Sequence, residues 1–478
     1  MKRSRRLAHL FPGLQRQLLK VAGPLRHWAW RLKPKPPIPR DEVTQDMLPE
    51  ALEGYTSQPF YLPGQIVGFH LKAKLPHNHL FLEHYQADLE WEPIAEHAFP
   101  ELLLTNTLDE AQNGCHWPIG WEFTLPFNAA PGYYRATLTN PELEQPTYIH
   151  FLVGSAAPKS KVAVLAPVTT WLAYNAYGGQ SLYRNALSEG HVPFVSSQRP
   201  NTALTYHGTH SLQHNLRIEA NIYQWFAKNY AADLYPDFYL EAHPEFLTDY
   251  KVLVLAYHAE YFSEKMYRTL WDLVFQNGIS LLALGGNQVY WQVRWHQGFT
   301  HLECQKDGSF FQNEAKRGTL WRHTARPEAQ LLGAQFSEPG MGTYAPYQVL
   351  QPKHWLFAGS QVKQGGIFGT AGIDGLPICG DETDKSPWSS PDNTVVLARG
   401  LNKKAGEEGE IYAVEDPAWN GTGGGEITFT EVTGKCAVLN TGSIQSGSGL
   451  GVDGVFTRLV QNFMQRYTHT SNDGTTAG

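Results

Sequence analysis

A histidine and a carboxylate stand two residues apart at His258-x-Glu260, directly after the apolar run Lys251–Ala256. On an extended segment residues two apart point to the same side. Such a pair can bind a metal together, or one can be the ligand and the other the acid/base. The plainer alternative is a strand-end pair hydrogen-bonded to loop backbone. Tyr174 and Asn175 lie in Thr170-Trp-Leu-Ala-Tyr-Asn-Ala-Tyr-Gly-Gly179, where the two glycines suggest a backbone that approaches something closely. Against this, tyrosines are usually core residues with satisfied hydroxyls. Gly285-Gly286-Asn287 gives a tight turn that presents an amide, able to orient a carbonyl or an oxyanion; a turn asparagine without a role fits the same residues. It is not a dinucleotide fingerprint, because the third glycine is missing. Glu382 lies in Gly380-Asp-Glu-Thr-Asp384, a loop of acids of a kind that is usually solvated. No G-x-S-x-G elbow is present and no cysteine follows a central strand, which counts against acyl-enzyme chemistry.

The elements that would hold these residues are short apolar runs. Lys161–Pro167, Lys251–Ala256, Ile279–Leu284 and Lys435–Asn440 read as buried parallel strands, each ending in a polar cluster. Ligands bind outside the carboxyl ends of strands in open α/β sheets, so the polar clusters mark that edge. Arg217–Asn229 carries a helical apolar face. A second helix starts at Ser263 as N-cap and stops near Gly278. Asp453–Tyr467 reads as a closing helix.

Four segments are expected. Residues 1–50 form a basic helical extension and a proline-rich linker, 51–156 a β-sandwich domain, 157–470 an α/β domain, and 471–478 a disordered tail. Within the α/β domain, about 296–430 read as an antiparallel β insertion, with short strands at Trp355–Phe357, Val395–Ala398, Glu410–Val414 and Glu426–Thr430. Residues 1–33 hold nine Lys/Arg and no Asp or Glu. Ser4-Arg5-Arg6 hints at a twin-arginine signal, but no continuous apolar segment or small-residue cleavage site follows. The helical spacing of Leu7, Leu10, Phe11, Leu14, Leu18 and Val21 suits packing on a partner subunit or on the body of the protein; a membrane-surface helix is the other reading.

The net charge of −7 argues against a nucleic-acid partner. No window approaches the roughly 20 apolar residues of a transmembrane segment. Cys115, Cys304, Cys379 and Cys436 form no C-x-x-C pair, which fits a reducing, cytoplasmic setting rather than a disulfide framework or thiolate zinc site.

These motifs, taken together, resemble the large (beta) subunit of N,N-dimethylformamidase and its relatives. The resemblance rests on Thr170-Trp171-x-Ala173-Tyr174-Asn175-x-Tyr177-Gly178-Gly179, Ser197-x-Arg199-Pro200, His258-x-Glu260-Tyr261, Gly285-Gly286-Asn287-x-x-Tyr290-Trp291, Gly380-x-Glu382-x-Asp384 and Gly442-Ser443, with Gly114-Cys115-x-Trp117 and Pro131-Gly132-x-Tyr134 in the β region. It covers roughly Gly54 to Tyr467. It implies a class I glutamine amidotransferase-like α/β domain with a mainly parallel sheet. It implies hydrolysis of a small linear amide by a mononuclear ferric iron, Fe(III). Carried over by motif, the ligands are Tyr134, Tyr174 and Glu260, and the acid/base and orienting residues are His258, Asn287 and Glu382. Tyr133 is the alternative to Tyr134, and on a strand the two face opposite sides. Phenolates and a carboxylate are hard anionic donors suited to such a cation. The resemblance also implies a homo-oligomer and a small partner subunit. Phe262 and Tyr177 replace Trp, and Ala256-Tyr257 replaces glycine-rich sequence, so the pocket differs from the family pattern. A relative that binds a sugar or other small polar ligand in the same cleft is the alternative function.

Overall fold

Strand Val162–Ala166 (β1) is Val-Ala-Val-Leu-Ala with every residue buried, and Val252–Tyr257 (β3) and Ser280–Gly285 (β4) are equally apolar and equally buried. Continuous apolar strands require cover on both faces. They lie inside the main sheet of the computed structural model, which describes residues 50–106, 109–183, 192–206, 214–306, 320–337, 341–402, 424–434 and 436–468. Asp233–Pro236 (β2) flanks β1, and Tyr347–Val349 (β5), Ile367–Phe368 (β6), Val395–Gly400 (β7), Glu426–Thr433 (β8) and Cys436–Asn440 (β9) complete the sheet in the order β2-β1-β3-β4-β9-β8-β7-β5-β6. The first five strands in that order are parallel. The last four run antiparallel to their neighbours.

This overturns the expected class I glutamine amidotransferase-like α/β architecture with a mainly parallel sheet. Strands take 37% of the structure and helices 22%, and the strands are spread over mixed and antiparallel sheets. One physical reason lies at β8 and β9. Thr433 pairs with Cys436, so only two residues connect the strands, and a connection that short can only make a hairpin. The antiparallel strands expected as a separate insertion are therefore the second half of the main sheet. Trp355–Phe357, expected as a strand, is a turn of 3₁₀ helix capped by His354. The expected strand Glu410–Val414, the N-terminal helix and linker, and the tail from 471 lie outside the described residues.

Four helices matter to the site or to the cover of the sheet. Val168–Tyr174 (α1) follows β1. Leu216–Tyr230 (α2) is capped by Asn215, whose side chain accepts from the Arg217 and Ile218 amides. Glu264–Phe275 (α3) is capped by Ser263, which accepts from Met266 N at 3.0 Å. Gly454–Thr468 (α4) buries Phe456, Leu459, Val460, Phe463 and Met464.

The amino-terminal part forms two further sheets around one shared core. Strand Ile66–Ala73 contributes Val67, Phe69 and Leu71 from the three-stranded sheet. Asn78–Ala87, Gly132–Thr139 and Thr147–Val153 contribute Leu80, Leu82, Ala136, Leu138 and Phe151 from the five-stranded one. Side chains alternate along Gly132–Thr139, so Tyr134 faces this core while Tyr133 faces the core of the main sheet. Glu53 is buried against Lys72 at 2.7 Å and accepts from Tyr177 hydroxyl at 3.0 Å, tying the amino-terminal sheets to the loop after α1.

β3 and β4 approach so closely at their carboxyl ends that a Cβ on Gly285 would lie 1.6 Å from the Tyr257 carbonyl oxygen. No rotamer relieves a backbone clash. Gly285→Ala is expected to prevent folding or to force the strand ends apart, whereas Gly454→Ala meets nothing within 4 Å. Soluble yield and thermal melting of the two variants check this; similar melts for both would contradict it.

Candidate active site

Tyr174 sits in the last turn of α1. That helix has no side-chain cap of its own at Pro167. Instead Asp237, just beyond β2, reaches across: its Oδ1 accepts from Thr169 N at 3.1 Å and Thr169 Oγ1 at 2.8 Å. Trp171 Nε1 donates to Glu219 Oε2 at 3.0 Å, and Thr170 Oγ1 accepts from Glu260 N at 3.0 Å. Three consecutive side chains thus fix the helix before Tyr174 appears. Beyond it, buried Arg199 holds the exit. Its guanidinium donates to the carbonyls of Asn175 at 2.8 Å, Gln180 at 2.9 Å, Ser196 at 3.0 Å, and Tyr177. Carbonyls at a helix end lack partners within the helix, and a planar guanidinium can serve several at once.

Glu260 is fully buried. Its Oε2 accepts from Tyr174 hydroxyl at 2.8 Å, and its Oε1 accepts from Tyr183 hydroxyl. The two phenol rings lie 4.9 Å apart. Burial and the neighbouring Glu260 charge hold both phenols well above their ordinary range. His258 Nε2 lies 3.1 Å from Tyr174 hydroxyl, 3.2 Å from Glu260 Oε2 and 3.9 Å from Glu382 Oε2. Its Nδ1 faces the Gly286 carbonyl at 3.1 Å. Tyr174 has one proton and gives it to Glu260, so its oxygen must accept from His258. The carbonyl opposite Nδ1 can only accept as well. With that proton placement both ring nitrogens donate, which is the hydrogen-bonding pattern of an imidazolium. Burial alone would lower its pKa; the hydrogen bond to Glu260 and the charges of Glu260 and Glu382 outweigh that and raise it.

Asn287 supplies the opposite wall. Its Nδ2 donates to Glu382 Oε2 at 2.7 Å, and its backbone N donates to Asp384 Oδ1 at 2.7 Å. Its side-chain Oδ1 is buried without a partner among the described residues. Burial, with Glu260 and Asp381 nearby, raises the Glu382 carboxyl despite the opposing pull of His258. Asn287 (φ 47°), Tyr257 before His258 (φ 57°) and Asp381 before Glu382 (φ 66°) all have left-handed backbone. Such conformations cluster where side chains must be aimed for function.

The structure thus brings Tyr174, His258, Glu260, Asn287 and Glu382 together and leaves Tyr134 out. The Tyr134 hydroxyl donates to the Ala130 carbonyl at 2.7 Å, and its ring packs on His84 and Phe151. Tyr133 does not replace it, because its hydroxyl donates to Glu219 at 2.6 Å. Strand alternation sends one tyrosine into the amino-terminal core and the other onto Glu219. Tyr183 takes the place at Glu260 instead. Sequence reasoning missed it; the available signal was the double glycine Gly178-Gly179, which lets the chain turn back toward Tyr174.

The sequence pattern of the family described as N,N-dimethylformamidase beta subunit-like, C-terminal, matches residues 84–462. The chain belongs to this family. No curated protein matches it. A β-glucuronidase from Parabacteroides merdae aligns at 9% identity over 50% of this chain and 24% of that one, with a TM-score of 0.16. A family 123 glycoside hydrolase from Clostridium perfringens aligns at 10% identity over 55% of this chain and 48% of that one, with a TM-score of 0.11. Neither likeness carries an argument about fold or activity.

Among the described residues, no group of three or more His, Cys, Asp and Glu side chains could hold a metal ion. The oxygens of Tyr174 and Tyr183 both meet the Glu260 carboxylate, and once the phenols give up their protons the three would be hard anionic donors of the kind that fit the ferric iron the family resemblance implies. The residues present therefore suit the group, with Tyr183 in place of Tyr134.

Asp237 anchors α1, and burial pushes its carboxyl up to about 7. The folded protein then binds a proton that the unfolded chain releases, so stability from this group is lost as pH rises from about 4 to about 7. Asp237→Asn keeps an acceptor for Thr169 and cannot ionise. Relative to this variant, the wild type is expected to lose stability across that window; parallel melting curves from pH 4 to 8 would count against the assignment.

Proposed function

We propose that the chain is an iron-dependent hydrolase that cleaves the C–N bond of a small linear amide. The observation that carries this reading is the convergence of two phenols on one buried carboxylate, with the His258 ring and a second carboxyl group within reach of the same point. Tyr174, Tyr183 and Glu260 are the residues that would hold the iron. When bound, the iron would supply Lewis-acid polarisation of the amide carbonyl and a more acidic water.

The remaining work belongs to side chains. Glu382, raised by burial, takes a proton from the attacking water as the new C–O bond forms. Asn287 fixes the Glu382 carboxylate through its amide and presents its unpartnered Oδ1 to the substrate. His258, held as a double donor, gives a proton to the amine nitrogen as the C–N bond breaks. Glu382 Oε2 lies 3.9 Å from its Nε2 and returns the proton. The products are a carboxylic acid and an amine, and both residues end as they began. The family description names a beta subunit, and association with a second kind of chain is part of this reading.

Purified protein is expected to hold ferric iron in a one-to-one ratio, coloured by tyrosinate charge transfer. Tyr174→Phe and Tyr183→Phe should bleach it, while Tyr134→Phe should leave colour and iron unchanged. Elemental analysis finding zinc or no metal would sink the proposal. Bleaching by Tyr134→Phe but not by Tyr183→Phe would return the third ligand to the amino-terminal strand.

Glu382→Gln keeps the shape of the side chain and removes the proton acceptor. Loss of a general base costs about 10²–10⁴ in rate, and that drop is expected on small N-alkyl formamides with iron content unchanged. Full activity in this variant would assign the base elsewhere. Iron-loaded wild type that hydrolyses no small amide would favour a binding protein that uses the same cleft.

A further inference from the structure

Lys306 is 1% exposed, and the proposed reaction does not use it. Its ammonium lies 3.3 Å from the centroid of the Tyr183 ring, 4.5 Å from that of Trp291 and 5.2 Å from that of Tyr261. It also donates to the Tyr261 hydroxyl at 2.9 Å. Burying an ammonium is expensive unless charge or π-density compensates it. Part of that compensation comes from the face of the ring whose oxygen reaches Glu260. Tyr261 follows Glu260 in the chain, so the same cation touches both the ring of one donor and the residue beside another.

We propose that Lys306 is a positioning and tuning residue for the Tyr183 oxygen. Its charge on the ring face fixes the tilt of the phenol and stabilises negative charge on it. The inference rests on the reading that Tyr183 belongs to the donor set. A phenolate whose electrons are held by a neighbouring cation gives them up less readily, so its charge-transfer absorption lies at higher energy. Removing the cation should move that absorption to longer wavelength and loosen the grip on iron.

The test uses full-length protein loaded with ferric iron, read by its visible spectrum, its iron content and iron loss to a competing chelator. Lys306→Met is expected to shift the tyrosinate band to longer wavelength. It should also lose iron about tenfold more readily, the scale of one desolvated cation–π contact. Lys306→Arg keeps the charge and should return the band toward the wild-type position. Tyr261→Phe removes the hydrogen bond but leaves the cation, and should leave the band in place. If Lys306→Met does not fold, Lys306→Gln, which retains a donor but no charge, makes the same comparison. An unshifted band in the uncharged variant, or an equal shift in Tyr261→Phe, overturns the inference while leaving the iron site standing. Wild type that takes up no iron overturns both.

Discussion

Glu260 is a carboxylate with no exposed surface, and a buried charge is tolerated only where donors surround it. Its surroundings come from separate parts of the chain. α1 brings Tyr174, the turn after the double glycine brings Tyr183, and the end of β3 brings His258. Thr170 accepts from its backbone amide, and its carbonyl accepts from Tyr290 N at 2.7 Å and Trp291 N at 3.0 Å, so the residue is clamped on both sides. Removing any one donor would leave the others around an unsatisfied anion.

Holding that arrangement stores strain. Tyr257, Asn287, Val289 and Asp381 are all left-handed, and Val289 is β-branched, which makes it a true outlier. Each such residue costs about 1–3 kcal/mol. The backbone is over-determined around them. The Val289 amide is tied to the Ala259 carbonyl at 2.8 Å, the Asn287 amide to Asp384 Oδ1, and Gly285 lies against the Tyr257 carbonyl.

What could be read from the sequence follows from how each signal is encoded. Continuous Val/Leu/Ala runs mark buried strands directly, and the polar residues after β3 and β4 therefore announce where His258, Glu260 and Asn287 stand. The Ser263 cap was legible because its partner amide is three residues away. Tyr134 was misplaced because a motif records order along the chain. Alternation separates Tyr133 from Tyr134, yet it does not say which core each face meets. Tyr183 was missed for the opposite reason: its local signal is the double glycine before it, which says that the chain turns but not that the turn ends at Glu260. The main sheet was misjudged because β7 and β8 sit in glycine-rich sequence that looks like an insertion, while their pairing with β9 depends on distant partners.

That pairing has a consequence for how the molecule assembles. β3, α3 and β4 form one local unit, and β8 and β9 form another, each able to nucleate from nearby residues. The seam between them is β4 against β9, where Ser280 and Ala437 meet across 157 positions of chain. Closing so long a loop is entropically unfavourable, so this pairing is expected to form after the local units. The pairing of Asn287 with Glu382 and the contact of Asn440 with Asp384 lie beside that seam. A nascent or half-assembled chain can thus carry Glu260 and its phenols without the wall opposite them. The candidate site is complete only when the two halves zip together, so the proposed reaction would report on completed folding.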